Sequence, residues 1–162
     1  MYIEYVLALI ISYLGLLAGN ILAFISPEEI KPYKYYFDLL KYALLLGIFS
    51  TLLYAYGFHA WLTALFTIIL TAALYLVKKD FVTYILLAFA FFLSFKVQAT
   101  IVTASLIFLF GMLAAATFSE PFMKNRKKIT LCFKGIKLNV IGKTLMHYIP
   151  YFIIGVILMF FL

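Results

Sequence analysis

The sequence predicts an all-α, polytopic membrane protein: a bundle of six transmembrane helices with a short fourth helix and both termini non-cytoplasmic. Three observations carry this. Hydrophobic residues make up 67% of the 162 positions and charged residues only 12%. Soluble domains run near half apolar and a quarter charged, so the excess apolar surface must face lipid. The apolar residues fall into six segments, and the cations between them sit almost entirely on one side.

A bilayer core about 30 Å thick needs about 20 helical residues at 1.5 Å each. The segments that approach this length are about 5–26, 37–56, 60–77, 81–95, 97–118 and 144–162, in one transmembrane domain covering 1–162. Pro27-Glu28-Glu29 closes the first, Gly57 the second, Lys78-Lys79-Asp80 the third and Glu120-Pro121 the fifth. The break between the fourth and fifth carries neither Gly nor Pro, only Lys96 and Gln98. One helix from Phe81 to Phe118 would be roughly 57 Å long, too long for a single crossing. A hairpin near Lys96 is the better solution, with Lys96 snorkelling to the interface. A partial, re-entrant fourth segment is the alternative.

Orientation follows from the loops. With the N-terminus outside, twelve of the thirteen Lys and Arg lie in cytoplasmic loops and only Lys96 lies outside. Lys31, Lys34 and Lys41 are counted in the first of these loops, and the fifth is a basic loop over 119–143. This is the positive-inside bias of membrane proteins, and it accounts for the net charge of +7 without nucleic acid. The location it implies is the cell membrane, multi-pass, most simply a prokaryotic plasma membrane.

Membrane helices associate through close backbone approach and interhelical hydrogen bonds. Ala8, Ser12, Gly15, Gly19, Ala23 and Ser26 form one stripe on the first helix. Ala43, Gly47, Thr51 and Ala55 form another on the second, and Thr100, Ala104, Gly111 and Ala115 a third on the fifth. These three helices are expected to form the tight centre. Phe89, Phe91, Phe92 and Phe95 make the fourth helix read as peripheral and lipid-facing. Tyr33, Tyr35, Tyr36, Tyr54, Tyr56, Trp61, Tyr148 and Tyr151 read as an interfacial aromatic belt.

Four places can bear chemistry. Glu28 and Glu29 are a carboxylate pair suited to cation binding or general-base work. The plainer reading, and the preferred one, is a helix start: Ser26 as N-cap, Pro27 in the first turn, the acids matching the helix dipole. His147 shares their side of the membrane and would complete an acid–base group, although no spacing demands it. Thr63, Thr67 and Thr71 form a hydroxyl stripe that, with Asn20, would line a polar path. Its plainer reading is packing, each hydroxyl bonded one turn back. Lys124, Arg126, Lys127 and Lys128 would attract anionic headgroups, at roughly 1 kcal/mol per charge. Residues 129–142 fit either an interfacial helix or a hairpin turning at Lys134-Gly135, and Gly135 with the β-branched residues favours the hairpin.

One cysteine excludes an internal disulfide, and two histidines leave little material for haem or zinc. No cofactor or metal is therefore expected. The leading functional expectation is a component that binds or passes a small solute, or a membrane subunit of a larger assembly. The alternatives are an enzyme on a lipid or lipid phosphate at the cytoplasmic face, using Glu28, Glu29 and His147, and a ligand-free scaffold. Expected partners are membrane lipids, with anionic headgroups at the basic loop. The small-residue stripes also admit a homo-oligomer.

Overall fold

The computed structural model describes residues 2–25, 27–77, 80–123 and 133–161. These form six helices: α1 (Tyr2–Ile25), α2 (Pro27–Ala55), α3 (Ala60–Val77), α4 (Asp80–Lys96), α5 (Thr100–Met123) and α6 (Phe133–Met159). Four are long and apolar enough to cross a membrane: Tyr2–Ile25, Pro32–Ala55, Thr100–Ser119 and Val140–Met159. The stretches Ala60–Leu76 and Val82–Lys96 are apolar but shorter. The Ser26 cap lies outside the described residues, but Pro27 does head α2.

The contacts between helices fix their directions. Tyr5 and Tyr13 of α1 donate to the carbonyls of Gly155 and Leu145 on α6, so these two helices are antiparallel. Gly15 and Gly19 of α1 lie against the backbones of Phe108 and Met112 on α5, so α1 and α5 are parallel. Lys41 of α2 reaches Thr117 of α5, and Gly47 faces Leu106, an antiparallel pairing. Tyr42 of α2 meets Tyr75 of α3, and Ser50 meets Thr67, again antiparallel. Tyr5 packs on Phe91 and Phe95 of α4. The chain therefore alternates in direction from helix to helix. Asn20, Lys41, Tyr84, Thr117 and His147 gather at one end, hereafter the lysine end. Gly57, Lys96 and Gln98 gather at the other.

The two tight turns there are the same motif. The N–H of Phe58 reaches the carbonyl of Leu53, and the N–H of Gly57 reaches that of Tyr54. The N–H of Ala99 reaches the carbonyl of Ser94, and that of Gln98 reaches Phe95. Each is a 6→1 bond enclosing a 5→2 bond, the Schellman closure of a helix. It requires a left-handed residue, which is Gly57 (φ 83°) in the first and Gln98 (φ 56°) in the second. The second turn lacks glycine yet stops α4 by the same hydrogen bonds. Lys96 is exposed and lies over the ring of Phe92, 4.8 Å from its centroid.

α5 is packed between α1 and α2. The stripe residues Ser12, Gly15, Gly19 and Ala23 of α1 are buried, and its two glycines lie against α5. A Cβ at Gly15 or Gly19 would strike the carbonyl of Phe108 or Met112. On α5, Ala104, Gly111 and Ala115 are buried too. The stripe on α2 behaves differently. Ala43 and Ala55 are exposed, and α2 turns Leu45, Ile48, Phe49 and Leu52 inward. Bulky side chains fill the wider gap that the α1–α5 contact leaves beside it.

α4 also departs from expectation. It is central, not peripheral: Tyr84, Leu87, Ala88, Ala90, Phe91, Phe92 and Ser94 are buried, while Phe89 points outward. Lipid and protein core are equally apolar, so phenylalanine has no intrinsic sidedness. Here Ala88, Ala90 and Ser94 sit among the rings and let neighbouring helices approach. α3 is the peripheral helix. It packs chiefly on α2 through Thr63, Thr67, Thr71 and Leu74 and leaves most of its circumference exposed. Tyr148 and Tyr151 are buried rather than interfacial. The expected loop over 119–143 is helical at both ends, because α5 runs to Met123 and α6 begins at Phe133. A hairpin at Lys134-Gly135 is thereby replaced by helix. Gly135 falls in the first turn, where a weak helix former costs little and the following span drives propagation. Residues 129–132 lie outside the described residues.

Candidate ligand cavity at the lysine end

The inward stripe of α2 changes character along its length. Leu45, Ile48 and Leu52 are apolar and buried. One and two turns earlier, the same stripe carries Lys41, Asp38 and Lys34, at spacings of four and three that keep one helix face. Lys41 Nζ lies 2.6 Å from Asp38 Oδ1 and donates to Thr117 Oγ1 at 3.2 Å. Its side chain is only 22% exposed. Thr117 is tied in turn to the carbonyls of Leu113 and Ala114 on its own helix.

These groups form one wall of a cavity of about 230 Å³ between α2, α4, α5 and α6. Thr83 and Tyr84 enter from α4, Thr117 and Phe118 from α5, and Tyr148 from α6. Leu45, Phe110 and Ala114 make an apolar floor. The lining thus offers two ammonium groups, one carboxylate and several hydroxyls above hydrocarbon. Its balance is positive, so it suits an anionic group accompanied by hydroxyls or a short apolar portion. Tyr84 and Tyr148 rings, 4.4 Å apart between centroids, close the inner side. Behind them lies a void of about 20 Å³ bordered by Ser12, Tyr13 and Tyr151. That is space for about one water. Ser12 Oγ and Tyr151 Oη share a 2.7 Å hydrogen bond at its edge.

Asn20 does not join the threonines of α3. Its Oδ1 accepts from Ser119 Oγ of α5 at 2.7 Å and from Thr144 Oγ1 of α6 at 3.1 Å. Its Nδ2 donates to the Leu16 carbonyl at 2.9 Å. All three side chains are fully buried, so Asn20 ties three helices together. Thr67 and Thr71 donate one turn back to the carbonyls of Thr63 and Thr67, which is the packing arrangement. Thr63 Oγ1 is buried with no hydrogen-bond partner.

His147 is exposed and its ring stacks on Phe118, 5.0 Å and 19° apart, with Tyr84 and Tyr148 edge-on to it. Glu28 and Glu29 lie in the first turn of α2, and their side chains fall outside the described part of the chain. Lys124, Arg126, Lys127 and Lys128 lie outside the described residues. Among the described residues, no three His, Cys, Asp or Glu side chains gather in a metal-ligand group. Sequence reasoning missed Lys34, Asp38 and Lys41 as a group by counting the lysines as loop charge. Their 34–38–41 spacing, continuing the stripe to Leu45, was the available signal. Tyr84, Thr117 and Tyr148 had no such signal, since only the packing of three separate helices unites them.

Comparison with known protein families, curated proteins and solved structures finds no match for the chain.

Proposed function

We propose that this protein crosses the membrane six times, with both termini non-cytoplasmic, and binds a small solute bearing an anionic group in the cavity at its lysine end. In this reading it is a binding or transport component, alone or as the membrane subunit of a larger assembly. The cavity opens toward the cytoplasm, where the positive-inside bias puts Lys34 and Lys41.

One observation carries the reading. Lys41 stands inside an apolar span, Pro32–Ala55, yet its ammonium is held on a cavity wall by Asp38 and Thr117. Ionisable groups within membrane helices are expensive to keep and by default mark functional sites. The alternating direction of the six helices and the Schellman turn at Gln98 support an even number of crossings.

The test uses purified protein in an uncharged detergent, at constant ionic strength balanced with chloride. Inorganic phosphate and glycerol phosphate should raise the unfolding temperature of the wild type. Lys41→Met should lose that response, and Asp38→Asn, which removes the competing carboxylate, should strengthen it several-fold. Wild-type protein indifferent to both anions would sink the reading.

A further inference from the structure

A second concavity shares the Asp38–Lys41 pair. It lies on the outer side of α2, between α2 and α3, and measures about 740 Å³. Its apolar wall is Leu39 and Leu46 of α2 with Ile68 and Ala72 of α3. Tyr35, Asp38, Lys41 and Tyr75 supply its polar end. Tyr42 belongs to both the groove and the inner cavity, and its ring meets Tyr75 edge-on at 5.2 Å, bridging the two helices. The groove is open outward: Leu39 is 57% and Ile68 59% exposed.

Depth and polarity specify the occupant. From Tyr35 to Leu46 the helix rises about 16 Å, at 1.5 Å per residue. That is about half the roughly 30 Å hydrocarbon thickness, or one leaflet. The polar end lies toward the lysine end and the apolar end toward the middle of the bundle. The Lys41 ammonium, shared with the Asp38 carboxylate, and tyrosine hydroxyls at one end, with hydrocarbon at the other, match a phospholipid headgroup above its chain. The size is within the range of small-molecule sites, about 300–1,000 Å³. A water-soluble anion has no use for the apolar wall.

We propose that the α2–α3 groove seats one acyl chain of an anionic phospholipid from the adjoining leaflet, with its phosphate at Lys41. The ligand of the cavity is then a membrane lipid approached from the side, past α2, rather than a solute taken from water. This rests on the anion-binding reading of the cavity and names its substrate class.

The test reconstitutes the protein in phosphatidylcholine nanodiscs doped with phosphatidylglycerol carrying a diazirine on one chain. Photo-crosslinks should concentrate on residues 39–46 and 68–75. Ala72→Trp and Leu39→Trp, both exposed positions that fill the groove without touching the cavity, should lower that labelling at least tenfold. Stabilisation by inorganic phosphate in detergent should persist in both. Lys41→Met should lower both readouts. Labelling spread evenly over the exposed faces of α1 and α6, or unchanged in both tryptophan variants, overturns the proposal. Loss of phosphate stabilisation in the wild type instead overturns the cavity reading, so the two fail separately.

Discussion

Ser119 and Asn20, on parallel helices and 99 residues apart in sequence, share a 2.7 Å hydrogen bond between fully buried side chains. Thr144 of a third helix donates to the same oxygen. Replacing Asn20 by Leu leaves two buried hydroxyls without their acceptor, although Thr144 also donates to its own Val140 carbonyl. We expect Asn20→Leu to cost about 1–3 kcal/mol. A double-mutant cycle of Asn20→Ala with Ser119→Ala, read by reversible unfolding in mixed micelles, should give a coupling of about 0.6–1.7 kcal/mol. Additive effects would show that the bond contributes nothing.

Gly19 and Gly47 should respond oppositely to alanine. A Cβ at Gly19 meets the Met112 carbonyl and the Ala115 methyl, both fixed to the α5 backbone. The helices would have to separate, so Gly19→Ala should lower thermal stability by about 1–3 kcal/mol or more, as overpacking does. At Gly47 the nearest atom is the flexible Leu106 Cδ1 at 3.9 Å. Gly47→Ala should be neutral or stabilising, since alanine is the better helix former by about 0.8–1.0 kcal/mol. Fluorescence-detected thermal unfolding of both variants checks the contrast.

Gln98 holds the left-handed position of a turn that glycine occupies at Gly57. A left-handed non-glycine residue costs about 1–2 kcal/mol, so Gln98→Gly should raise stability by about 1 kcal/mol. Gly57→Ala should lower it by a similar amount. A Gln98→Gly variant no more stable than the wild type would mean that the side chain compensates for its backbone.

Opposite exposure is expected for single cysteines introduced at Gln98 and Lys127 in a Cys132→Ser background. An impermeant maleimide applied to intact cells should label the first and spare the second. Labelling of both from the same side is incompatible with six crossings.

The ends of helices were legible where the backbone has chemical reasons to stop. Pro27 and Gly57 are the clearest cases; for the turn at 97–99, length required a break and Lys96 and Gln98 placed it. The α1–α5 contact was legible too, because a stripe of small residues through Gly15 and Gly19 has few uses other than close approach. The burial of Phe91 and Phe92 was not. In lipid the same hydrophobicity describes a core ring and an outward ring, so composition cannot assign a side. The candidate cavity was half legible. Lys34, Asp38 and Lys41 carry a helical spacing, whereas the partners that turn them into a wall, Tyr84, Thr117 and Tyr148, come from three other helices. The sequence grouped Asn20 with the threonines of α3, whereas its Oδ1 accepts from Ser119 and Thr144, and nothing local to either of those residues announces it.

The peripheral position of α3 reaches beyond packing. At eighteen residues it is about 27 Å long, a few ångströms under the usual hydrocarbon depth of about 30 Å. The central α4 is no longer, at seventeen residues, but protein surrounds it and hides the shortfall. In the proposed six-crossing arrangement α3 would have no such shelter. The bilayer beside it would then have to dimple to keep its ends wet and its middle dry, at a fraction of a kcal/mol per ångström. Such mismatch would favour residence in thinner membranes.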